Sequence, residues 1–84
     1  MTQDQVDALA DALRKHFGGE VEAEPVNGHG RYRFSIVSSG FAQMTHLQRQ
    51  DAIWKIVDQV LARDATLDVS MILAFAPAEL LPAD

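Results

Sequence analysis

The chemistry this sequence could offer outside an ordinary core rests on three arginines and two histidines. Arg31, Arg33 and Arg49 fall within Pro25 to Gln50, a run without aspartate or glutamate that also holds His29 and His46. That run carries +3. The remaining residues hold four basic and twelve acidic side chains, so −8, and the two sum to the net −5 of the chain. A cationic block on an acidic chain suits docking of an acidic partner or a phosphate backbone, and chance in a short sequence produces it equally well. His29 stands between glycines in Asn27-Gly28-His29-Gly30, which leaves its imidazole exposed, as a plain turn residue or as a ligand presented on a loop.

Other chemistries find little support. Ser38-Ser39-Gly40 reads as a turn. No nucleophile stands beside a base motif, no Walker loop occurs and no His/Asp/Glu cluster has metal-ligand spacing, so the chain reads as a non-enzyme. The Gly-x-x-Gly clamp of a KH module is missing, and a net charge of −5 opposes generic nucleic-acid binding.

The elements that must position these residues are legible from periodicity. Arg31 to Ser38 alternates, with Tyr32, Phe34 and Ile36 on one side and Arg33 and Ser35 on the other, which marks a half-buried strand. Thr45 with Gln48 forms a capping box. It opens a helix from about His46 to Arg63 whose apolar face comprises Leu47, Ile53, Trp54, Ile56, Val57, Val60 and Leu61. Trp54 reads as a core anchor whose indole N–H needs a partner. Between strand and helix, Phe41 and Met44 mark a brief helical link that packs inward.

Upstream, Thr2 with Gln5 caps a first helix. Val6, Leu9, Ala10, Leu13 and Phe17 form its apolar stripe, and Gly18-Gly19 ends it. Glu20 to Glu24, alternating acidic and small apolar residues, is a short edge strand closed by Pro25. It pairs with the long strand as an antiparallel hairpin. Downstream, Asp64-Ala65-Thr66 breaks the long helix. Leu67 to Ala76 is then apolar almost throughout, which predicts a central, covered strand. Strand, helix, strand without a hairpin turn predicts parallel pairing. Pro77 to Leu81 is expected as a short closing helix, with order ending at Pro82.

The expected fold is therefore α+β: a small three-stranded mixed sheet packed by helices, in the order α-β-β-α-β-(α), in one domain over residues 1–84. A chain of this size buries roughly 60–65% of the surface its unfolded form exposes, so stability is modest. The absence of cysteine excludes a disulfide scaffold and thiolate ligands and fits a reducing compartment. No run of about 18 apolar residues and no signal-peptide pattern is present, so a cytoplasmic protein without membrane contact is expected.

This order of elements, with particular residues in it, resembles the BolA-like family. The matching residues are Arg33-Phe34-Ser35-Ile36-Val37-Ser38, then Phe41, then Arg49 opening the long helix. Met71-Ile72-Leu73-Ala74-Phe75 follows, and Ala76-Pro77-Ala78-Glu79-Leu80 looks like the family's Thr-Pro-x-Glu-Trp ending. The likeness runs from about Val6 to Leu80. It implies a fold akin to class II KH domains and a non-enzymatic adaptor, a monomer or weak homodimer, that docks a monothiol glutaredoxin in iron–sulfur cluster handling. Some members act as DNA-binding regulators, which gives the alternative of a regulator or nucleic-acid module using the face of Arg31, Arg33 and Arg49. The resemblance further implies a shared cluster ligated by a histidine after the helix-opening arginine and by a histidine or cysteine of the first hairpin loop. His29 matches the loop position, but Gln50 follows Arg49, and a neutral amide substitutes poorly for imidazole on iron. His46, one helical turn before Gln50, is the other candidate ligand. The expectation is docking through Arg31, Arg33, Arg49 and Gln50, with no cofactor of the chain's own.

Overall fold

Two capping boxes start the two long helices. Thr2 accepts the Gln5 N–H while the Gln5 side chain accepts the Thr2 N–H, opening α1 (Gln3–Phe17). Thr45 and Gln48 do the same for α2 (His46–Val60). Each box satisfies two amide donors that a helix start otherwise leaves unpaired. The computed structural model describes residues 1–26, 28 and 30–80. His29 and Pro82, singled out above, lie outside the described residues, as does Leu81, the expected last residue of the closing helix.

The order is α1, β1 (Glu20–Val26), β2 (Arg31–Val37), a 3-10 turn (Ser39–Gln43), α2, a short α3 (Arg63–Thr66), β3 (Val69–Phe75) and a closing 3-10 turn (Pro77–Leu80). The strands form one sheet in the order β1-β2-β3. β1 and β2 are antiparallel, with Glu20 opposite Val37 and Val26 opposite Arg31. β2 and β3 are parallel, with Phe34 beside Ile72 and Val37 beside Phe75. The α+β architecture and both pairing directions agree with the sequence. No described helix is long and apolar enough to cross a membrane.

The core lies between the helices and one face of the sheet. Leu9 and Leu13 of α1, Phe34 and Ile36 of β2, Phe41 of the 3-10 turn, and Ile53 and Val57 of α2 are fully buried. Ser38 ties this core to the end of α1, donating to the Phe17 carbonyl at 2.6 Å while accepting the Gly40 N–H at 3.2 Å.

Three expectations need correction. α2 ends at Val60, not near Arg63, and Asp64-Ala65-Thr66 is helical instead of a break. The true break is extended Leu61 (φ −105°, ψ 143°). Leu61, at this break, and Ala65, beyond it, are both buried in the core. Leu47, assigned above to the apolar face of α2, is 72% exposed. Finally, β3 is an edge strand and β2 is the central one. The apolar run of β3 is covered on the face carrying Ile72 and Ala74 but leaves Met71 exposed and Leu73 and Phe75 half-buried on the other.

The tight passage from α1 into β1 rests on two glycines at positive φ, Gly18 (72°) and Gly19 (76°). A Cβ on Gly18 would meet open space, whereas one on Gly19 would lie 2.0 Å from the Val37 carbonyl oxygen. Gly18→Ala should therefore cost only backbone strain, about 1–3 kcal/mol. Gly19→Ala must also displace β2 and should cost more. Urea denaturation of the two variants checks this ordering.

Candidate functional site

The sequence places Arg49 in register with the apolar stripe of α2. Arg49, Ile53, Ile56 and Val57 share one helical face, and all four are buried. Arg49 is only 3% exposed. A buried guanidinium is tolerated only when its donors are satisfied and its charge is opposed. Both conditions hold. Nε donates to the carbonyls of Phe41 (3.1 Å) and Met44 (3.2 Å), and Nη2 to that of Phe41 (2.8 Å). Nη1 donates to the Ala74 carbonyl (3.1 Å). Glu79 closes the cage with a two-pronged ion pair, Nη1 to Oε1 at 2.7 Å and Nη2 to Oε2 at 2.8 Å. The guanidinium carbon lies 5.7 Å from the Phe41 ring centre, within cation–π range.

Glu79 is itself held in place. Its Oε1 accepts the Ala76 N–H at 2.8 Å, and its own N–H donates to the Ala76 carbonyl. The Arg49 hydrogen bonds, and then the Ala76 N–H, lower the Glu79 pKa to about 2, against a smaller opposing effect of burial. Glu79 in turn raises the pKa of Arg49.

Gln50, the next residue on α2, performs a parallel task. Its Nε2 donates to the Ile72 carbonyl at 2.9 Å, and its Oε1 accepts the Trp54 indole N–H at 3.1 Å. Because the indole only donates and the carbonyl only accepts, the amide has one orientation that satisfies both. Carbonyls two residues apart on a strand point the same way. Arg49 and Gln50 thus take two successive outward carbonyls, Ala74 and Ile72, along the free edge of β3. Trp54 packs against the core as expected, with Gln50 as its partner.

The structure does not bring the predicted cationic face together. Arg33 is ion-paired with Glu24 on the neighbouring strand. Arg31 is exposed at the first position of β2. Arg49 lies beyond the other end of that strand, beneath the surface; the seven residues of β2 separate the two ends by roughly 20 Å. The reading of Arg49 as a docking cation is therefore corrected: burial and six short contacts make it an internal clamp. Gln50, half-buried with both ends of its amide engaged, is likewise turned inward. His46 is exposed on the first turn of α2. Among the described residues no group of three or more His, Asp or Glu side chains is arranged to hold a metal ion. Glu79 is the residue sequence reasoning left without a role. The signal was present, since an arginine on an apolar stripe requires a carboxylate, and Glu79 sits in a fixed turn after Pro77.

Two outcomes follow from the clamp. Arg49→Leu strands Glu79 and three backbone carbonyls, and should lower Tm by on the order of 10 °C, read by circular dichroism. Glu79 has a folded pKa below its unfolded one, so the stability it confers is complete above about pH 4.5 and is lost as pH falls toward 2. Wild-type Tm should therefore drop across that window more steeply than the Tm of Glu79→Gln, which is already lower at neutral pH.

No family model matches the sequence, and no curated protein matches it. Solved structures do. BolA1 from Arabidopsis thaliana superposes with a TM-score of 0.74 at 17% identity, over 95% of this chain and 100% of that one. The BolA domain of SufE1 from Arabidopsis thaliana superposes at 0.69 and 21% identity, over 95% and 99%. With superpositions that span nearly the whole of both chains, the fold of this chain is the BolA-like fold.

Proposed function

We propose that this chain is a BolA-like, non-enzymatic adaptor that docks a monothiol glutaredoxin without supplying a cluster ligand from position 50. The observation that carries the second half is the engagement of Gln50. Its amide nitrogen donates to Ile72 and its oxygen accepts from Trp54, so neither is turned toward a metal. An amide is also a weak ligand for iron. The donor set at this position therefore does not fit an iron–sulfur cluster.

Docking is read from the end of the fold that Arg49 locks. The clamp fixes the first turn of α2 against the closing 3-10 turn, and each of these segments presents an exposed leucine, Leu47 and Leu80. Exposed His46 stands beside Leu47. Apolar side chains on a rigid, pre-ordered rim suit protein docking, because little ordering entropy is lost on binding. Burial of Arg49 and pairing of Arg33 with Glu24 favour this reading over the nucleic-acid alternative, because among the described residues Arg31, Arg33 and Arg49 do not form one exposed face to neutralise phosphates.

Titration of 15N-labelled protein with an apo monothiol glutaredoxin and with its cluster-loaded form tests this reading. The amides of His46, Leu47 and Leu80 should shift with either form, and Leu47→Ser should weaken binding about ten-fold. Gln50→Ala should leave the absorption spectrum of the loaded complex unchanged. A spectrum that depends on Gln50, or binding that ignores Leu47, overturns the reading.

A further inference from the structure

The outer face of the sheet has two unlike halves. Register aligns three rows across it: Glu20–Val37–Phe75, Glu22–Ser35–Leu73 and Glu24–Arg33–Met71. The β1 side is thus a column of carboxylates and the β3 side a column of apolar side chains, with Val37 extending the latter. Met71 is 48% exposed, and Val37, Leu73 and Phe75 are half-buried. A strand apolar on both faces has the composition of one covered on both, yet the described helices bury only the residues of the opposite face.

Strand addition cannot supply the cover. Arg49 and Gln50 occupy the Ala74 and Ile72 carbonyls along the β3 edge. The β1 edge carries three glutamates and Pro25, and Arg14 donates to its Val21 carbonyl at 3.2 Å. Charge, proline and capped carbonyls are all barriers to edge pairing. A partner must therefore approach face-on. The three strands span about 10 Å between outer axes, the diameter of one α-helix, and seven residues of strand run about 20 Å, or roughly fourteen helical residues. A second copy of this chain laid strand over strand would set glutamates on glutamates or on leucine and phenylalanine, so the face opposes self-association.

We infer that this face binds a basic amphipathic helix of a partner protein, its apolar stripe on Val37, Met71, Leu73 and Phe75 and its lysines or arginines over Glu20 and Glu22. This surface is separate from the Leu47 rim and does not depend on the adaptor reading.

The test uses two synthetic helical peptides of about fifteen residues with one leucine stripe, flanked along one side by lysines in the first and by glutamates in the second. At about 0.1 M salt the lysine peptide should bind at least about ten-fold tighter than the glutamate peptide. Its binding should shift the amides of Glu20, Glu22, Val37, Met71, Leu73 and Phe75 in 15N-labelled protein. In Glu20→Lys/Glu22→Lys, which leaves the Glu24–Arg33 pair intact, the preference should invert. Equal affinity for the two peptides, or shifts confined to α2, overturns the inference. So does concentration-dependent broadening of the same amides without peptide, which would give the face to a second copy.

Discussion

One buried cation organises this molecule. The guanidinium of Arg49 gathers carbonyls from the turn that follows β2 and from β3, and the carboxylate of the closing turn, around one planar group. Only arginine offers enough donors in a fixed fork to do this; lysine would bring a compact charge with three. Removing the guanidinium from water is costly, and Glu79 offsets that cost because its two oxygens match the fork while the carboxylate itself keeps partial contact with solvent. The pair fixes where the chain turns after each parallel strand and how α2 lies across the β3 edge.

Neighbouring residues extend the same logic. Gln50 takes the next outward carbonyl of β3 and passes its remaining acceptor to Trp54, so two consecutive side chains of one helix seal a sheet edge. A position that the family resemblance associates with metal ligation here holds the scaffold together. Of the two surfaces proposed above for partners, the Leu47 rim lies on the helix turn that the clamp holds, and the apolar half of the outer sheet face lies on the strand whose carbonyls Arg49 and Gln50 engage.

Periodicity made most of the fold legible. The capping boxes at Thr2 and Thr45, the alternation from Tyr32 to Ile36 and the glycine pair after α1 each state a local preference that tertiary packing did not override. Strand order was not legible, because an apolar run reports that a strand wants cover without saying which element gives it; β3 was placed at the centre for that reason and lies at an edge. Arg49 was misread because charge statistics assign arginine to the surface, although its register with Ile53, Ile56 and Val57 marked it as a core position. The pairing with Glu79 spans thirty residues, a separation that no local pattern encodes. Leu47 shows the converse: an apolar residue at the head of a helix, one position off the buried stripe, faces outward.

Arg49 is an internal clamp and not a partner-facing charge. Hydrogen exchange of its side-chain Nε–H, followed by NMR at neutral pH, tests this most directly, since an exposed arginine exchanges that proton too fast to observe. The clamp predicts a resolved, slowly exchanging Nε–H resonance, correlated with the Phe41 and Met44 carbonyls and lost in Glu79→Gln. A resonance that exchanges as freely as those of Arg31 and Arg63 would contradict it.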